Sequence, residues 1–164
     1  MKNLIYVKKC LGKDGLPILI YKIRSMELDA DQRLDEVVDG FNIYGHPKVD
    51  PRVTRIGRFL RRYWIDEIPQ LYNLCKGDIK LVGIRPSTEQ EWQRYPKTIM
   101  ERALHQKPGL MGVQYAHPNT GDFDQFLVNL EEYLDRYKSN PLETDRKYLS
   151  LIVWNILYQG VRST

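Results

Sequence analysis

No stretch of this 164-residue chain approaches the ~20 consecutive apolar residues that a membrane-spanning helix requires. The longest apolar segment, residues 149–158, reaches about half that length and carries Ser150 and Asn155, so a core or interfacial helix is expected there. Lys2, Lys8, Lys9, Lys13 and Asp14 break up the N-terminal apolar residues, which excludes the uninterrupted apolar core of a signal peptide from this stretch. Cysteine is scarce. Cys10 and Cys75 stand far apart without ligand-like spacing, which argues against a zinc site or disulfide framework and predicts two reduced, cytosolic thiols. The chain has no internal repeat and no low-complexity tract, so solenoid architectures and long linkers are excluded. Neither sign of charge dominates: 25 Lys and Arg against 21 Asp and Glu give a net +4 and a pI near 9.0. That balance favours an anionic partner without choosing among phosphate, nucleic acid and a membrane surface. With no zinc-ligand spacing and no aromatic strand of the RNA-binding kind, no nucleic-acid partner is expected.

What is present is the composition of one globular domain over residues 1–164: 42% hydrophobic, 28% charged, 11% aromatic. Leu4 to Val7 and Pro17 to Ile23 are β-prone runs flanking Gly12-Lys13-Asp14-Gly15, which predicts a β-hairpin with a glycine turn. An acidic stretch, residues 27–39, spaces Leu28, Leu34, Val37 and Val38 as an exposed amphipathic helix, and residues 41–51 read as a loop. From Pro51, which suits a first helical position, Arg52, Arg55, Arg58 and Arg61 recur every three residues with Ile56, Phe59, Leu60, Tyr63 and Trp64 between them. A second helix is expected from about Asp66 to Lys76-Gly77, with Pro69 tolerated in its first turn. Lys80-Leu81-Val82 reads as a short strand leading into Gly83-Ile84-Arg85-Pro86. Ser87 with Gln90 suggests a capping box for a helix that Pro96 interrupts. Residues 107–121 are a Gly/Pro loop, and two helices, about 123–138 and 142–158, complete the chain. The fold class is α+β, mostly helical, with the hairpin packed against several amphipathic helices.

Asp66-Glu67, at a helix start directly after a basic helix, is the candidate chemical centre. The helix dipole there stabilises a carboxylate by about 0.3–1 kcal/mol, and the free N–H groups suit a phosphate. An ionised Asp can attack phosphorus when cations offset the repulsion, and Glu can offer a hard oxygen to Mg²⁺. Alone, however, an Asp-Glu pair at a helix start is usually no more than a favourable cap. The arginine stripe is ambiguous in the same way. By itself it is a solvated face; with Phe59, Tyr63 and Trp64 it also suits a helix lying in a membrane interface.

The ordered segments Asp50-Pro51-Arg52-Val53-Thr54-Arg55-Ile56-Gly57-Arg58-Phe59-Leu60-Arg61-Arg62, Asp66-Glu67-Ile68-Pro69-Gln70-Leu71-Tyr72-Asn73, Lys76-Gly77-Asp78 and Leu81-Val82-Gly83-Ile84-Arg85-Pro86 resemble the bacterial sugar transferase family. These are the monotopic polyprenyl-phosphate phosphoglycosyl transferases that start cell-surface glycan assembly, such as exopolysaccharide and lipopolysaccharide. Tyr21-Lys22-Ile23-Arg24-Ser25-Met26 and the turn at Gly12-Lys13-Asp14-Gly15 are similar to the segments that precede them in that family. The resemblance implies a two-step transfer. Asp66 would attack the β-phosphorus of a UDP-sugar and release UMP, and a polyprenyl phosphate acceptor would then take the phosphosugar. It implies that Glu67 helps bind Mg²⁺, and that Arg61, Arg85 and the neighbouring Pro86 lie where the family contacts phosphate. It also implies that Lys22 is a basic active-site residue with Arg24 assisting, and that the chain is peripheral on the cytoplasmic face of the inner membrane.

The sequence departs from the family's pattern in places. Members carry a hydrophobic re-entrant helix before the hairpin, whereas this sequence starts almost at the hairpin. The expectation is that the anchor is lost, cut away, or supplied by a separate membrane subunit. Ile84 replaces the first proline of a Pro-Arg-Pro, Met111 stands where Thr is common, and the spacing to Gln114 is one residue short. Asp145 and Asp78 are expected to be structural. A rival expectation is a non-catalytic subunit that binds a nucleotide sugar or scaffolds a membrane enzyme.

Overall fold

The computed structural model describes residues 4–33, 50–120 and 122–161. The chain opens with the expected hairpin. Strands β1 (Ile5–Leu11) and β2 (Pro17–Ile23) pair antiparallel, with Tyr6 opposite Lys22, Lys8 opposite Ile20 and Cys10 opposite Ile18. Alternation puts those six on one face. Its far end is a small core of Cys10, Ile20 and Ile79, and its near end carries the polar tips of Tyr6, Lys8 and Lys22. The turn between the strands holds Asp14 at φ 57°, a left-handed conformation that Asp tolerates better than most side chains.

Of the acidic stretch expected as a helix, positions 34–39 lie outside the described residues, as do positions 41–49 of the following loop. Residues 30–32 form a single 3₁₀ turn (Ala30–Gln32). The basic helix, α1 (Arg55–Arg62), begins four residues later than the proline signal suggested. Thr54 caps it, its hydroxyl accepting from the Gly57 amide at 2.8 Å. Arg52 therefore lies off the helix and off the arginine stripe. It is buried, donates to both carboxylate oxygens of Asp50 (2.8 and 2.7 Å) and bonds the Ala30 carbonyl at 2.8 Å. Gly57 allows α1 to lie directly on the chain after β2, since a Cβ there would fall 1.8 Å from the Ser25 carbonyl oxygen.

A 3₁₀ turn, Ile65–Glu67, then precedes α2 (Gln70–Lys76), so Asp66-Glu67 stands one turn before the helix rather than within it. Helix α2 stops at Gly77 (φ 82°), as expected of a Lys-Gly signal. Strand β3 (Lys80–Gly83) pairs in parallel with β4 (Gly109–Gly112), a strand inside the segment expected to be loop. The capping box is one residue later than expected: Thr88 and Glu91 form it at the start of α3 (Glu89–Trp92). Pro96 caps a further helix, α4 (Lys97–Leu104), rather than ending one. After a 3₁₀ turn, Val113–Ala116, come α5 (Phe123–Ser139) and α6 (Pro141–Tyr158). The main core lies among α3 to α6 and includes Trp92, Ile99, Leu130, Tyr133, Tyr148 and Ile152. Cys10 and Cys75 are free thiols, one buried and one exposed. Among the described residues no helix is long and apolar enough to cross a membrane.

Candidate active site

The end of α1 sets the site's geometry. Trp64 takes a left-handed conformation, φ 62°, which costs a non-glycine residue on the order of 1 kcal/mol and turns the chain sharply out of the helix. Its ring offsets that cost by packing edge-on against Tyr115, centroids 4.7 Å apart, alongside the main core. The turn swings Asp66 and Glu67 inward, where they are 4% and 5% exposed.

The two carboxylates then part company. Asp66 lies on the wall of a cavity of about 190 Å³, together with Tyr6, Lys22, Arg24, Arg61 and Arg85. Its Oδ1 is buried without a hydrogen-bond partner among the described residues. Glu67 faces a separate void of about 20 Å³ behind the first, which Gln70, Lys22 and Arg85 also line. Its Oε1 accepts from Lys22 Nζ at 2.9 Å and from Arg85 Nη2 at 3.0 Å. Glu67 thus fixes two of the cations that line the cavity with Asp66.

Each cation is held by a different element. Asn73 fastens β2 to α2: its Nδ2 donates to the Leu19 carbonyl at 2.6 Å and its Oδ1 accepts from the Tyr21 amide at 3.2 Å. This sets Lys22 relative to Glu67. Asp78, as expected, braces the turn, accepting from Asn73 and Lys76 at 3.1 Å each. Arg85 follows β3, and its Nη1 donates to Tyr115 Oη at 2.9 Å. Tyr115 is held in turn by Asn155, whose amide donates to the Tyr115 and Ala116 carbonyls, both at 3.0 Å. Arg61, one α1 turn before Trp64, donates from Nε to Ser25 Oγ at 2.9 Å. Arg24 lies over the Tyr6 ring, 5.4 Å from its centroid.

Charge accounts for the titration. Burial raises the pKa of Asp66 and Glu67 adds to the rise, with Lys22, Arg61 and Arg85 opposing. Burial also resists ionisation of Glu67, but Arg85 and Lys22 more than offset it and hold that carboxyl below the usual range. Burial and the Arg85 charge push Lys22 down to about 8, against the pull of Glu67. A buried cavity with more cations than anions on its walls is a receptor for an anion with several oxygens.

Lys22, Arg24, Arg61, Asp66 and Arg85, expected together, do share one cavity wall. Pro86 does not; it lines the small void and a neighbouring groove. Tyr6, Lys8, Ser25 and Tyr115 were not singled out in the sequence. The alternation of β1 would have pointed to Tyr6 and Lys8, whereas nothing local marks Tyr115. Among the described residues no group of three or more His, Cys, Asp or Glu could hold a metal. The oxygens on hand are the orphaned Oδ1 of Asp66 and Oε2 of Glu67, to which no hydrogen bond runs among the described residues. The two carboxylates line different voids, so either one fits Mg²⁺ as a single oxygen ligand, with phosphate and water completing the shell.

Comparison with known proteins identifies the family. The model of a family described as bacterial sugar transferase matches residues 1–157. A galactosyl transferase, CpsE, of Streptococcus agalactiae serotype III (strain NEM316) is 36% identical over 138 residues, covering 81% of this chain and 30% of that protein. A putative undecaprenyl-phosphate N-acetylgalactosaminyl 1-phosphate transferase of Bacillus subtilis (strain 168) is 46% identical over 95 residues, 58% of this chain and 49% of its own. An undecaprenyl-phosphate galactose phosphotransferase of Salmonella typhimurium (strain LT2) is 37% identical over 128 residues, 73% of this chain and 27% of its own. The chain thus spans less than half the length of these relatives.

Proposed function

The chain belongs to the bacterial sugar transferase family, and we propose that its site transfers a phosphosugar from a UDP-sugar to a polyprenyl phosphate. One observation carries this reading: Asp66, one of whose carboxylate oxygens is buried without a partner among the described residues, lies on the wall of a cavity that Lys22, Arg24, Arg61 and Arg85 also line. A carboxylate so placed is held ready for an electrophile that brings its own negative charge, and a diphosphate is such a group. Hydrogen-bond satisfaction is the rule for buried polar atoms, so an orphan at this spot marks a place for a ligand.

In the first step an Asp66 oxygen attacks the β-phosphorus, the bond from that phosphorus to the bridging oxygen breaks, and UMP leaves with the electron pair. The sugar phosphate stays on Asp66 as an acyl phosphate. In the second step a phosphate oxygen of the polyprenyl phosphate attacks the same phosphorus, which frees the carboxylate and yields the polyprenyl-diphosphate sugar. Arg61 and Arg85 hold non-bridging oxygens through their planar forks, Lys22 neutralises charge on the transferred group, and Arg24 lies where the leaving phosphate needs a cation. Glu67 keeps Lys22 and Arg85 in place and would give Mg²⁺ one carboxylate oxygen. Bound there, the ion supplies charge neutralisation for the diphosphate.

A polyprenyl phosphate acceptor is a bilayer lipid, and the proposed setting is the cytoplasmic leaflet of the inner membrane. The exposed apolar residues Ile56, Phe59 and Tyr63, beside Arg55, Arg58 and Arg62, suit α1 for contact with that leaflet. The decisive assay measures UMP release from a panel of UDP-sugars, with and without polyprenyl phosphate and detergent, together with the intact mass of the protein after UDP-sugar alone. A chain heavier by one phosphosugar is expected. If no UDP-sugar yields UMP or an adduct, with Mg²⁺ and acceptor supplied, the rival non-catalytic role takes its place.

A further inference from the structure

A second opening lies beside the Asp66 cavity, and the two share Lys8, Arg85 and Glu91 as a common wall. This groove encloses about 50 Å³ between the loop after β3, α3 and the start of α5. Its chemistry differs from that of the cavity. Lys8 is neutralised by Glu91, Nζ to the two carboxylate oxygens at 2.7 and 2.9 Å. The far wall is aromatic: Tyr95 stands edge-on to Phe123, centroids 5.7 Å apart. Arg94 lies 5.8 Å from the Phe123 centroid and pairs with no carboxylate among the described residues. Gln114 lines the groove, and its side-chain amide makes no hydrogen bond among the described residues. The amide is seated close over Gly112, where a Cβ would fall 2.3 Å from its Oε1 and 2.6 Å from its Nε2. A half-buried amide and a guanidinium, neither with a side-chain hydrogen-bond partner among the described residues, can hydrogen-bond the polar edge of an uncharged ring whose face packs on the aromatics.

We propose that this groove is the sugar subsite of the donor substrate, with Gln114 and Arg94 reading the hydroxyl edge and Tyr95 and Phe123 packing against the ring. The inference rests on the phosphosugar-transfer reading. In-line displacement puts the departing UMP opposite Asp66, across the phosphorus, so the sugar oxygen must lie to the side. UMP carries charge and belongs among Arg24, Arg61 and Lys22. The sugar is uncharged, and in the adjoining groove Lys8 is paired with Glu91 and Arg85 with Glu67, which leaves Arg94 as a hydrogen-bond donor at its rim.

The test compares Gln114→Leu and Arg94→Ala with the wild type on UDP-glucose, UDP-galactose and their 2-acetamido counterparts, with calorimetric affinities for the same sugars and for UMP. Arg94 is exposed, so its variant checks the inference even if Gln114→Leu folds poorly. The ratio of kcat/KM between sugars should shift by about 10-fold, as expected when a site loses a group that hydrogen-bonds substrate, with UMP affinity unchanged. Sugar ratios unchanged in both variants would overturn the proposal, and so would an equal loss of UMP affinity, which assigns the groove to the nucleoside. The calorimetric arm keeps the two readings apart. A wild type that binds UDP-sugars without turnover sinks the transfer reaction, while a variant-dependent change in sugar affinity still decides the subsite.

Discussion

Asp66 is held where its own charge is disfavoured, by burial and by Glu67, and only the surrounding cations make ionisation bearable. Its folded pKa is raised, so the stability it contributes is fully present below the unfolded value and is lost as pH rises through the folded one. At neutral pH the ionised side chain is therefore a cost to the fold. Asp66→Asn should lower turnover by on the order of 10³-fold or more while raising the melting temperature. Melting the two proteins side by side checks this, and an Asn variant less stable than wild type would contradict the assigned electrostatics. Lys22 has the opposite sense. With its pKa depressed to about 8, it contributes stability that is present above its unfolded value and lost as pH falls through about 8. A bound diphosphate stabilises the ammonium and so takes up a proton. UDP-sugar affinity should accordingly fall as pH rises above about 8, by up to ~10-fold per unit, and Lys22→Gln should flatten the profile. Calorimetry at pH 7 and pH 9 in buffers of different ionisation heat reads both the affinity and the proton uptake.

At the scale of the element, α1 serves two surfaces at once. Its inner side presents Arg61 to the cavity and lays Gly57 on Ser25, while Ile56, Phe59 and Tyr63 repeat at helical spacing on the outside. Phe59 is 57% exposed, whereas Trp64, next to the same helix, packs on Tyr115 at the edge of the main core. Spacing along the sequence groups Phe59 and Trp64 on one membrane-facing surface, and the structure separates them. Phe59→Ser should weaken co-sedimentation with anionic vesicles at low salt and change stability by less than about 0.5 kcal/mol. Trp64→Ser should destabilise by about 3 kcal/mol, read by denaturant melts, and should impair turnover through misplacement of the Asp66 turn. Unchanged vesicle binding in the Phe59 variant would remove α1 from the membrane contact. Arg52 shows the same distinction: a threefold repeat places it on the stripe, but Thr54 starts the helix after it and its guanidinium is spent on Asp50.

Across the whole molecule, a half-buried ion pair links the site to the helical body. Lys80, at the start of the strand that leads to Arg85, donates to both oxygens of Asp145 on α6 (3.0 and 2.9 Å) and to Tyr133 Oη on α5 at 3.0 Å. Its ammonium also lies 3.6 Å from the Tyr137 ring centroid. Asp145 is thus structural, in accord with the sequence reading. Asp145→Ala would leave Lys80 without its counter-ion in a largely apolar setting and should cost about 1–3 kcal/mol, allowing for partial exposure. Denaturant titration measures that cost. Because β3 leads into Arg85, the KM for UDP-sugar should rise as well, and a variant as stable as wild type would show that the link contributes little.

What the sequence determined by itself was local. Alternation gave the hairpin face, helical periodicity gave α5 and α6, Lys76-Gly77 gave a helix end, and the Asp66-Glu67 pair stood out beside a run of arginines. Each of these follows from preferences among near neighbours along the chain. The tertiary structure alone decided the rest. It paired β3 with β4 in parallel, brought Lys22 and Arg85 onto one oxygen of Glu67, set Tyr115 behind Arg85, and buried Arg52. It also turned the two adjacent carboxylates toward different cavities, so that Asp66 keeps an unpartnered oxygen and Glu67 holds the cations. Those outcomes depend on which side chains lose water and what they meet when they do. That is settled by segments tens of residues apart, whose packing leaves no periodic trace in the chain.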